Sequence, residues 1–153
     1  MGSSGAVQPA ATASVVVDCT PEDAFRYAAD PLRRAEWQTW VKRTVVESAG
    51  APGVGTRVRE LRRIPGVPAR EIRSEYTHYQ PGARWSLRAL AGPLRPRETM
   101  TFAETAGAAT RVSLEVQFEG DGVGALYAAL ARRSAPKQIR SDLNALKRRL
   151  ETR

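Results

Sequence analysis

The chain has 153 residues, a formal net charge of +8 and 42% hydrophobic residues. That length suits one domain whose core needs no disulfide or metal staple, and the single cysteine, Cys19, excludes an internal disulfide framework. The apolar share excludes a wholly disordered chain; no apolar run nears the roughly 18 residues of a membrane span and no signal-peptide pattern opens the chain, so a cytoplasmic protein is expected.

Residues 1–10 are rich in Gly, Ser, Ala and Pro and read as a disordered tail or an expression remnant. One domain is expected over 11–153. The β-branched centre Val15-Val16-Val17 predicts a strand over Ala11–Asp18. Thr20 then suits an N-cap, Pro21 the first helical position and Asp23 the third, predicting a short helix to Ala28. Asp30-Pro31 repeats that signal, predicting a second short helix through Trp37. Strands follow over Val41–Ser48, Thr56–Arg63, Arg70–Tyr79, Arg84–Leu90, Arg97–Glu104 and Thr110–Phe118, separated by Gly/Pro turns. The last alternates cleanly, with Val112, Leu114, Val116 and Phe118 on one face. A long helix from Gly122 to Glu151 closes the chain, with an apolar stripe of Ile139, Leu143, Leu146 and Leu150 that Leu126 and Leu130 extend. Pro136 should kink or divide it near Ser134-Ala135.

This order predicts an α+β helix-grip fold: a seven-stranded curved antiparallel sheet wrapped around a long C-terminal helix, with two short helices after the first strand. A helix laid across a concave sheet leaves a cavity between them. Alternation assigns Ile72, Ser74, Tyr76 and His78 to the cavity face, with Trp85, Leu87, Glu98, Met100 and Phe102 from later strands. Trp37, Trp40 and Tyr127 would close its mouth. An inward carboxylate such as Glu98 calls for a raised pKa or an arginine partner, unless it lies in a salt bridge at the sheet end. His78, the one histidine, carries protons near neutral pH if it faces inward and is partly solvated if it lies at the strand end.

Lysine supplies three of the 24 basic residues (Lys42, Lys137, Lys147), and arginine the rest. The arginines are dispersed and mostly alternate with apolar residues, as on a solvated outer sheet face. No nucleic acid is therefore expected as a partner, because such binding needs basic residues gathered on one surface. One histidine and one cysteine are too few soft ligands for a zinc site, and no phosphate loop is visible, so neither metal nor cofactor is expected.

The segment Phe25-Arg26-Tyr27-Ala28-Ala29-Asp30-Pro31, continuing to Glu36-Trp37, resembles the opening of bacterial START-like (SRPBCC, Bet v 1-like) domains of the polyketide cyclase/dehydrase group. Gly53-Val54-Gly55-Thr56-Arg57, Tyr79-Gln80-Pro81-Gly82, Gly107-Ala108-Ala109-Thr110-Arg111-Val112 (with a slight departure from the pattern) and Asp142–Arg148 are similar to later motifs of that group in the same order. The resemblance covers about residues 12–151 and implies a habit of binding hydrophobic ligands, not one reaction. It implies a cavity that takes a hydrophobic small molecule, polyketide-like or another secondary metabolite, lined by Trp37, Trp40, Ile72, Ser74, Trp85, Leu87, Met100, Phe102 and Tyr127. A cyclase would need a base for enolisation and an acid for loss of water, roles open to His78 with Glu98 or Tyr76. Alternatives are a carrier, a self-resistance protein that sequesters a reactive metabolite such as an enediyne, or, least favoured, a basic nucleic-acid adaptor. A monomer or homodimer is expected.

Overall fold

The structure is a computed structural model and describes residues 10–152, so nearly all of the N-terminal segment read as a tail lies outside the described residues. Seven strands form one antiparallel sheet in the order β1-β7-β6-β5-β4-β3-β2. They are β1 (Ala11–Val17), β2 (Val41–Val46), β3 (Arg57–Arg62), β4 (Arg70–Gln80), β5 (Arg84–Ala89), β6 (Leu94–Glu104) and β7 (Thr110–Gly120). Helix α1 (Pro21–Ala28) opens as predicted, with the Thr20 side chain accepting from the Asp23 amide. The second predicted helix divides into a 3₁₀ turn over Pro31–Arg33, capped by Asp30 on the Leu32 amide, and a single α-turn, α2 (Arg34–Trp37). Strand β6 starts earlier than predicted, and Pro96 lies inside it. The β5–β6 ladder begins at Arg88↔Arg97, one residue past the proline, so its missing N–H breaks no bond on that side.

Helix α3 (Val123–Glu151) runs unbroken through Pro136, which is exposed. The predicted division does not occur. The C-terminal half buries Ile139, Leu143, Leu146 and Leu150 as the stripe requires, but the N-terminal half buries Gly124, Ala128, Ala131 and Ala135. Leu126, expected on the buried face, is 59% exposed. Helix α3 as a whole chiefly covers β1 and β7, and the small side chains let its N-terminal half lie close to the sheet. Leucine would not fit there. The grip is therefore tight along α3, and the inner face of β3, β4 and β5 is left to α1, α2 and the interior charges.

Candidate ligand-binding site

The space expected to be a cavity is filled. Trp37, Trp85, Tyr76 and Met100 occupy it together with buried charged side chains, leaving a void of about 20 Å³ beside Trp40, Arg62, Glu98 and Asp142. At its centre, Arg34 on α2 donates from Nε to Glu60 Oε2 at 2.5 Å and from Nη2 to Glu98 Oε2 at 2.8 Å. Arg62 donates from Nη1 to Glu98 Oε1 at 2.9 Å and from Nη2 to Glu60 Oε1 at 2.8 Å. The four groups close an alternating, neutral ring that is almost wholly buried. Thr44 Oγ1 adds a bond to Glu60 at 3.1 Å, and Gln38 Nε2 one to Glu98 at 3.4 Å. The Trp85 ring packs against the Arg34 guanidinium at 5.3 Å.

Burial alone would raise both carboxyls, but the guanidiniums outweigh it. Glu60 lies below its ordinary value, and Glu98 is held down at about 2 by Arg62 and Arg34. Burial raises the Tyr76 phenol, which donates to the Ala29 carbonyl at 3.4 Å. Glu98 thus takes the arginine-partnered alternative, with two partners.

His78 does not join this group. The β4–β5 register shifts between Tyr76 and His78, and the irregularity turns His78 outward, where it is exposed and 3.4 Å from Thr77. The reading that put His78 on one face with Tyr76 is corrected by that slip. Tyr79 turns inward in its place and meets Phe25 and Tyr76. The other expected lining residues Trp37, Trp40, Ile72, Ser74, Trp85, Leu87, Met100 and Phe102 are all buried. Tyr127 is half-buried beneath Arg70, whose guanidinium lies 5.0 Å from its ring.

A wide open space lies beside α1. A cleft of about 700 Å³ separates α1 and the Pro31–Arg33 turn from the β2–β3 loop and the β4–β5 hairpin. Its apolar walls are Phe25, Leu32, Val46, Pro52, Tyr79 and Pro81, with Glu22, Arg26 and Asp30 among its polar members. Arg26 is already paired with Asp23 at 2.9 Å. Phe25 packs edge-on against Tyr79 at 5.2 Å and Phe102 at 5.3 Å, and Tyr76 meets Tyr79 at 5.7 Å and Trp85 at 6.0 Å. Rings in contact therefore run from the cleft wall to the arginine ring. None of the residues expected to bind ligand lines this cleft. Sequence reasoning missed Tyr79 because one inserted position reverses every later side chain. Leu32, between Pro31 and Arg33, is 68% exposed, and nothing in the sequence analysis singled it out.

A tightly gripped helix over a seven-stranded sheet, with an apolar cleft against its short helices, defines a helix-grip fold of the ligand-binding kind. The chain belongs to the family described as polyketide cyclase/dehydrase and lipid transport, matched over residues 8–151. No curated protein sequence matches it significantly. Among solved structures, a protein from Thermus thermophilus is similar at 22% identity and a TM-score of 0.72, over 93% of this chain and 97% of that one. The Zhui aromatase/cyclase from Streptomyces sp. R1128 is similar at 14% identity and 0.71, over 92% of each chain. A START superfamily protein from Mycobacterium smegmatis is similar at 15% identity and 0.66, over 92% of this chain and 96% of that one. At these identities the likenesses speak for the fold. No helix among the described residues is long and apolar enough to cross a membrane.

Proposed function

We propose that this protein binds a flat hydrophobic small molecule of the polyketide kind in the cleft between α1 and the β4–β5 hairpin, as a carrier or sequestering protein. The observation that carries the reading is the cleft itself: about 700 Å³ with mainly apolar, partly aromatic walls, within the usual range for small-molecule sites. Alizarin, a hydroxylated anthraquinone, is a suitable probe. It should bind saturably, and Val46→Asp should weaken it about tenfold or more by placing a charge in the apolar wall. Leu126→Asp, on the exposed face of α3, should leave it unchanged. Absence of saturable binding, or equal loss in both variants, would reject the cleft.

A cyclase reading rests on a different observation. Arg34 Nη1 and Arg62 Nε are buried and without hydrogen-bond partners, beside Glu98 and Tyr76. Donors of that kind would hold a ketone oxygen if the interior opened. Glu98, held at about 2, is ionised at neutral pH and has no proton to give, so the proton donor would be Tyr76. Tyr76→Phe should then abolish the loss of water that follows ring closure of a poly-β-ketone, while His78→Ala spares it. Equal turnover by wild type and Tyr76→Phe would dismiss this reading.

A further inference from the structure

The outer face of the sheet carries an unneutralised arginine pair. Arg88 on β5 and Arg97 on β6 are direct cross-strand partners, and like charges so placed repel. Four other arginines of this face have carboxylate partners. Arg57 has Glu75 at 3.8 Å, Arg59 has Glu71 at 3.8 Å, Arg73 has Glu47 at 3.2 Å and Arg95 has Asp121 at 3.1 Å. Among the described residues no carboxylate lies within ion-pair distance of Arg88 or Arg97. Glu75, opposite Arg88, is turned to Arg57. The pair lines a cleft of about 240 Å³ with Ala89, Leu90, Arg95 and Glu119.

We propose that this cleft is a binding site for a soluble phosphomonoester, with Arg88 and Arg97 gripping the phosphate from both sides. Guanidinium forks match the oxygens of a phosphate, and two of them facing each other across a ladder supply the charge that a dianion needs. The site lies on the convex side of the sheet, away from the α1 cleft, and is independent of what that cleft binds. The cleft admits one small headgroup, and the paired arginines around it leave no continuous basic track for a polymer.

The test is titration of the intact chain with glycerol 3-phosphate at low ionic strength, read by amide and arginine Nε–H chemical shifts. Saturable shifts centred on Arg88 and Arg97 are expected. Arg97→Gln should weaken binding about tenfold, while Arg57→Gln, a paired arginine on the same face, should change it less than about twofold. Glu119→Gln removes the carboxylate from the cleft and should tighten binding about threefold, which keeps the test informative if the arginine variants misfold. Unsaturable shifts, or equal losses in Arg57→Gln and Arg97→Gln, would overturn the site. Capture by phosphatidic acid vesicles with no response to glycerol 3-phosphate would overturn the soluble ligand.

Discussion

Arg34→Ala is expected to lower stability by about 3–5 kcal/mol, because it strands buried carboxylates with one guanidinium between them. Arg34 and Glu60 are 0% exposed, and Arg62 and Glu98 nearly so, so water cannot take over the lost partner. Urea unfolding at neutral pH measures the effect. A loss below about 1 kcal/mol would show that the ring has less hold on the fold than its geometry implies. Arg34→Met with Glu60→Leu, which removes a positive and a negative member together, should cost less than the two single changes added.

The same ring sets a dependence on pH. Glu60 and Glu98 have folded values below their ordinary 4.5, with Glu98 at about 2. Their contribution is complete above pH 4.5 and is lost as pH falls through the folded values. The stability gap between wild type and Arg34→Ala should therefore narrow as pH falls from 4.5 towards 2. A gap that stays constant over that window would mean that Arg34 acts by packing on Trp85 and not by charge.

The strand order and turns were legible because each rests on local chemistry. Thr20 caps α1 where its neighbours predicted, and Val112 to Phe118 alternate as they do in β7. The oddness of Glu98 was legible too, with an arginine partner as one of its possible resolutions. Which arginine was not: Arg34 is 64 residues from Glu98, and no periodicity links them. Glu60 and Arg62 share the inner face with Val58, but a charged residue at an inward position reads as exposed until its partners are known. The slip between Tyr76 and His78 has no Gly or Pro to announce it, and it moved the one histidine out of the site. The closed interior did have a visible signal: a stripe of Gly124, Ala128, Ala131 and Ala135 leaves the sheet and helix too close for a cavity between them.

Gly124→Ala is expected to destabilise the fold by about 4 kcal/mol or more, or to prevent folding, since overpacking against backbone has no cheap relief. A Cβ at Gly124 would lie 1.7 Å from the Pro93 carbonyl oxygen, and one at Gly120 would lie 2.0 Å from the Gly124 carbonyl oxygen. Both are main-chain atoms, so no side-chain rotation clears them. Gly53→Ala is the fitting comparison, because a Cβ there meets nothing within 4 Å, and it should shift stability by less than about 0.5 kcal/mol. Urea midpoints of the two variants decide the matter, and a Gly124→Ala protein within about 1 kcal/mol of wild type would mean that α3 can lift from the β5–β6 turn. Such a protein should also bind 8-anilinonaphthalene-1-sulfonate, since lifting this end of α3 parts Ala128 and Ala131 from the sheet and opens apolar surface. The glycine thus couples stability to the site: the contact that seats α3 also keeps the interior shut and leaves the α1 cleft as the place where a ligand can enter.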